Sequence, residues 1–162
     1  MTEEFIINKT QSIQKQYEEL ILLIKSLLNK KDNIISNLSN FTAVLKQNFE
    51  KISWVGFYLY DGEKLYLGPF QGKAACTQIE LGKGVCGSSA LTGKSIIVAD
   101  VNKFPGHIVC DSDSKSEIVI PIIKNNKIRG VLDIDSASIN SFDETDKEFL
   151  EIICNFLVEE IF

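Results

Sequence analysis

Three of the chain's four cysteines, Cys76, Cys86 and Cys110, fall in its Gly- and Asp-rich middle, away from the clearest apolar helix faces. Cys110 stands in the run Phe104 to Asp113, which has a Pro-Gly turn, acidic neighbours and neither helical nor strand period, so it reads as an exposed loop. Structural cysteines sit among apolar neighbours, whereas reactive ones sit in polar, accessible surroundings. A thiol on such a loop, with two more thiols upstream, points to redox chemistry. Cys154 lies near the apolar face of a terminal helix and reads as a small buried hydrophobe.

Carboxylates form the second group. In Ile128 to Asp135 side chains alternate, so Asp133 and Asp135 project from one strand face and Leu132 and Ile134 from the other. Glu117 opens the otherwise apolar partner strand. Three acids beside such strands repel one another and are costly to desolvate unless a cation or proton is shared among them. They read either as a solvated strand end or as a pocket for an ammonium group, with one carboxyl raised enough to donate a proton. Trp54, Gly56 and Tyr58 share a strand face; core packing is their default, and an aromatic face ending in a hydroxyl would also suit a thioether or sulfoxide.

Gly82-Lys-Gly-Val-Cys-Gly87 matches G-x-G-x-x-G, with Asp100 ending a following strand. The unit is too small for dinucleotide binding and Asp100 comes too early. The glycines better suit a tight turn that lets Cys86 approach another thiol, with the following helix N-terminus favouring thiolate. Cys76, Cys86, His107 and Cys110 could complete a zinc tetrahedron, but no C-x-x-C pair is present, so no metal is expected.

These groups must be positioned by elements legible from periodicity. Thr10 to Lys30 carries apolar residues at three- and four-residue steps, an amphipathic helix. Asp32 or Asn33 caps a second helix with Leu38, Phe41, Leu45 and Phe49 on its face. Ile52 to Tyr60, then Asp61-Gly62, then Lys64 to Gly68 read as a hairpin. A strand at Cys76 to Leu81, a short helix at Gly84 to Leu91 and a strand at Ser95 to Ala99 precede the Cys110 loop. Glu117 to Lys124 and Lys127 to Asp135 form a second hairpin around Asn125-Asn126. Ser141-Phe-Asp-Glu144 is a capping-box signal for the last helix. The order predicts an α+β helix-on-sheet sandwich with a mostly antiparallel sheet. A single domain over 1–162 is expected, with a helical pair at 1–49 and the sheet, loop and C-terminal helix at 50–162.

With 44% hydrophobic residues the chain is ordinary for a globular protein, and no staple is needed for folding. A net charge of −5, with basic residues spread out, argues against nucleic acid as partner. The acidic first residues lack a leader pattern and no apolar run suits a bilayer, so a cytoplasmic location with reduced thiols is expected and membrane is not.

The segments Trp54 to Tyr58, Gly68 to Lys73, Cys76-Thr77, Gly82 to Gly87, Phe104 to His107, Cys110 to Ser112, Ser116 to Ile118 and Val131 to Ser136 occur in one order. Together they resemble the free methionine-(R)-sulfoxide reductases, which are built on a GAF-type domain; the resemblance covers about residues 50 to 160. It implies a GAF-like mostly antiparallel sheet with N- and C-terminal helices packed on one face. It further implies reduction of free L-methionine-(R)-S-oxide, not of the residue within proteins. By resemblance Cys110 is the nucleophile, Cys86 the resolving thiol and Cys76 a third relay cysteine. Trp54 and Tyr58 match the residues holding the substrate's methyl and side chain. Glu117, Asp133 and Asp135 match the acidic group that binds the amino acid and assists the oxygen. No bound cofactor is implied; reducing equivalents come from thioredoxin, and indirectly from NADPH. Family members tend to form homodimers, for which the N-terminal helices offer a face. Ala75, Gln78 and Val109 depart from the frequent proline, arginine and alanine without removing a reactive group. The rival reading is a non-catalytic GAF sensor of a small ligand or of redox state.

Overall fold

The computed structural model describes residues 5–108 and 112–162. Helix α1 spans Ile13–Leu27 and α2 spans Ile34–Asn48. Ser12 and Asn33 cap them by accepting hydrogen bonds from the Lys15 and Ile35 backbone N–H groups, satisfying donors that a helix start leaves orphaned. The strands are β1 Trp54–Tyr60, β2 Lys64–Gln71, β3 Gln78–Glu80, β4 Ile96–Val98, β5 Ser116–Lys124 and β6 Lys127–Ser136. The short helix α3, Gly84–Thr92, separates β3 from β4, and α4, Glu144–Glu160, closes the chain. Asn125 and Asn126, both at positive φ, make the two-residue turn between β5 and β6.

The α4 cap differs from expectation. Asp143, not Ser141, is the N-cap; its carboxylate accepts from the Thr145 and Asp146 N–H groups, and Asp146 at N3 reaches back to the Asp143 backbone. The motif survives two residues later, where the Asp143 carboxylate accepts two N–H bonds at once. Ser141 Oγ is instead within 2.8 Å of Ser136 Oγ. Asp146 also takes the Tyr17 hydroxyl at 2.6 Å and the Lys51 ammonium at 2.5 Å, so this buried carboxylate ties α1 to α4.

The six strands form one sheet in the order β3-β2-β1-β6-β5-β4, with every neighbouring pair antiparallel. Its two faces have different duties. Val55, Phe57, Ile118, Ile120, Leu132 and Ile134 meet Leu20, Ile24, Phe41, Leu45, Ile153 and Leu157 of α1, α2 and α4 in the main core. The opposite face carries Trp54, Tyr58, Val119 and Val131 and is covered by α3 and the loop after β4. The helices at the two chain ends thus lie on one face, as the resemblance implies. That leaves the other face for chemistry. No described helix is long and apolar enough to cross a membrane.

Candidate active site

Strand register brings the acids together. Asp135 of β6 lies opposite Trp54 of β1 on one side and Glu117 of β5 on the other; Asp133, two residues earlier, lies between Gly56 and Val119. The period of two puts Asp133 and Asp135 on the same face, as the alternation predicted, and the register adds Glu117 to it. All three line a small cavity with Tyr58, Cys86 and His107. Gly56 contributes by having no side chain: a Cβ there would lie 2.4 Å from the Trp54 ring and 2.5 Å from Phe70. The Trp54 indole can therefore lie along the sheet, stacked on Phe70 at 5.5 Å between centroids, while its N–H donates to the Lys73 carbonyl at 2.9 Å.

The cavity's far wall is α3. Gly82 and Gly84 adopt φ of +81° and +61°, and the Gly82 N–H donates to the Gly87 carbonyl at 2.8 Å. Gly87 sits so close to β3 that a Cβ would come 2.3 Å from the Glu80 carbonyl oxygen. This tight turn presses Cys86 onto the acids, with its Sγ 3.9 Å from Glu117 Oε1. Glycines at these positions serve close backbone approach, in keeping with the turn inferred from sequence.

Burial decides the electrostatics. Glu117, Asp133 and Cys86 are only 5%, 7% and 4% exposed. Burial first, then the neighbouring Asp133 and Asp135, push the Glu117 carboxyl well above the usual range. Burial raises Asp133 to about 6, against the hydrogen bonds of Cys86 and Glu117, which lower it. Such carboxyls share protons, and their titration belongs to the cluster. The Cys86 thiol is also pushed well above its ordinary value, by burial and then by Asp133 and Glu117. This corrects the expectation that the helix N-terminus would favour thiolate. A helix dipole contributes about 0.3–1 kcal/mol near the surface, whereas full burial moves a pKa by up to roughly 3–5 units. Cys86 is therefore a protonated thiol at neutral pH.

The remaining expected residues fall around this centre. Tyr58 donates its hydroxyl to the Cys76 carbonyl at 3.1 Å, and burial with the nearby acids keeps the phenol protonated. Trp54 stacks behind Tyr58, at 6.1 Å between ring centroids, and is not among the described residues lining the cavity. Cys76, half-buried, is in a disulfide, whereas Cys86 and Cys154 are free. The resemblance gave the relay disulfide first to Cys86 and only second to Cys76. Cys154 is buried in the helical core as expected. Cys110, the expected nucleophile, lies outside the described residues. His107 was considered only as a metal ligand; its Nε2 is 3.8 Å from Glu117 Oε2, and partial burial lowers its pKa, keeping it neutral at pH 7. The Pro-Gly turn beside it was the available signal, but nothing in the sequence linked it to a residue ten positions on.

The raised carboxyls predict a stability cost. Asp133 titrates near 3.8 unfolded and at about 6 folded, so between those values the folded state holds more protons. Stability from this group is greatest below the lower value and falls as pH rises to the upper one. Asp133→Asn removes that loss and should raise stability at pH 7.5 by roughly 1–3 kcal/mol, with a smaller Tm difference between pH 5 and pH 7.5. Paired thermal melts check this; a lower Tm at pH 7.5 with an unchanged pH slope would refute it.

A GAF domain model matches residues 38–158. GAF domain-containing protein A of Dictyostelium discoideum is 52% identical over 97% of this chain and 99% of its own length. The free methionine-R-sulfoxide reductase of Saccharomyces cerevisiae is 44% identical over 93% of this chain and 89% of its own. Among solved structures, the free methionine-R-sulfoxide reductase of Neisseria meningitidis in complex with its substrate superposes with a TM-score of 0.87. It is 41% identical and covers 92% of this chain and 90% of that one. Likeness of this degree, over nine-tenths of the chain, places it in the free methionine-R-sulfoxide reductase family of GAF-domain proteins.

Proposed function

We propose that this chain reduces the R epimer of free methionine sulfoxide to methionine with thiol electrons. The observation that carries the reading is the Glu117–Asp133–Asp135 face lining the cavity, with Glu117 and Asp133 buried and the Glu117 carboxyl held well above its usual range. Ionised members bind the amino acid's ammonium, and the protonated carboxyl of Glu117 serves the sulfoxide oxygen. Trp54, behind Tyr58, stiffens the aromatic wall against which the substrate's side chain and methyl rest.

In the proposed reaction the Cys110 thiolate attacks the sulfoxide sulfur while Glu117 gives its proton to the oxygen. The oxygen transfers to Cys110 as sulfenic acid and methionine leaves, its sulfur reduced by two electrons. A second thiol condenses with the sulfenic acid, forming a disulfide and releasing water. A thioredoxin-type dithiol then exchanges with that disulfide and ends oxidised itself. Cys76 is assigned as the first resolving thiol, supported by its presence in a disulfide while Cys86 stays free and protonated. Cys86 donates to the acid cluster and is second in the relay. Peptide-bound sulfoxide lacks the free ammonium that offsets the acids, so it is rejected.

A thioredoxin-coupled assay following NADPH consumption tests this, offering free R-sulfoxide, free S-sulfoxide and a sulfoxide-containing peptide. Turnover of the free R form alone is expected. No turnover of any sulfoxide would favour a ligand-binding GAF sensor instead.

A further inference from the structure

The acidic face has a property that amino-acid recognition does not require. One ligand atom from each of Cys86, Glu117 and Asp133 lies within 4.8 Å of the others, and all three residues are buried. A tetrahedral zinc ion with bonds of about 2.0–2.3 Å holds its donors roughly 3.3–3.7 Å apart. The 3.9 Å between Cys86 Sγ and Glu117 Oε1 is already near that span. A second, independent observation concerns Asp133: its Oδ1 is fully buried and has no hydrogen-bond partner. A buried carboxylate oxygen left unpaired is a donor in want of a cation or a proton. His107 Nε2, 3.8 Å from Glu117 Oε2, brings an imidazole nitrogen to the same carboxylate.

We propose that Cys86, Glu117 and Asp133 form a binding site for a thiophilic divalent cation of the Zn2+ class, whose occupancy excludes the amino-acid ammonium. One sulfur and two oxygen donors suit a borderline-soft ion, whereas Mg2+ and Ca2+ take all-oxygen sets. On binding, a sulfur–metal bond forms and the Cys86 proton passes to solvent, together with any proton shared by the two carboxyls; no electrons move. The ion and the ammonium need the same carboxylates, so they compete. Only that competition rests on the proposed reductase function; the metal site itself does not.

The test uses the full chain with the Cys76 disulfide intact, so that Cys76 offers no thiolate. Co2+ alone is titrated while the thiolate-to-cobalt charge-transfer band is followed, and Zn2+ affinity is measured against a chromophoric chelator. One equivalent per chain is expected. Cys86→Ala should abolish the band and weaken Zn2+ binding at least ~100-fold, and Asp133→Asn should weaken it about 10–100-fold. Cys154→Ala, on the helical side of the sheet, should change neither. Circular dichroism of each variant confirms folding. No band and no saturable Zn2+ binding, or undiminished affinity in folded Cys86→Ala, overturns the proposal. Sulfoxide turnover in metal-free buffer is read separately, so its absence would count against the reductase reading and leave the metal site standing.

Discussion

Glu117→Gln should lower kcat for free methionine-(R)-sulfoxide by about 10^2 to 10^4-fold, the range lost when a positioned general acid is removed. The amide keeps the size and hydrogen-bonding capacity of the carboxyl but cannot release a proton to the developing oxyanion. Burial among Asp133 and Asp135 is what makes the native group fit for that task, since it holds the carboxyl well above the usual range. The pH profile carries the same signature. A protonated acid is required, so wild-type kcat falls as pH rises through the cluster's titration, and that limb should disappear in the variant. KM should move little, because Asp133 and Asp135 still meet the ammonium. The assay is steady-state turnover of both proteins across pH 5 to 9. If the Glu117→Gln protein turned over within about threefold of wild type at pH 7, Glu117 would lose the proton-donor role.

Much of this arrangement could be read from the chain because it follows from short-range periodicity. The alternation in β6 put Asp133 and Asp135 on one face and Leu132 and Ile134 on the other, and the structure has them so. The apolar steps of α1, α2 and α4 identified the helices that fill the core. What was not legible depends on distance along the chain. Cys86 looked like a thiolate because a helix start was visible nearby, while the acid-bearing strands that bury it lie at least thirty residues downstream. His107 meets Glu117 only because the loop after β4 folds over the sheet. The glycine at 56 lets the Trp54 ring lie along the sheet on Phe70, a packing that strand alternation alone does not show. The α4 cap slipped from Ser141 to Asp143 because two candidate caps stood close together and the carboxylate accepts more donors.

The state of the thiols leads to the other large effect. Cys76→Ser should release about one methionine per chain and then stall, even with thioredoxin and NADPH in excess, whereas Cys86→Ser should continue past the first turnover. The reason is the thiolate fraction. Each unit by which a thiol's pKa rises above ambient pH cuts its thiolate population about tenfold. Cys86 is buried against two carboxyls that disfavour its anion, while Cys76 is half-buried and already found in a disulfide. For Cys86 to resolve a sulfenic acid it must lose a proton beside Asp133 and Glu117; the disulfide at Cys76 demands no such charge in the acid cluster. Counting methionine released per chain, with and without reductant, separates the two thiols. If Cys86→Ser stalls after one methionine while Cys76→Ser keeps turning over, the resolving role passes to Cys86, and α3 must then move to bring that sulfur out from behind the carboxyls.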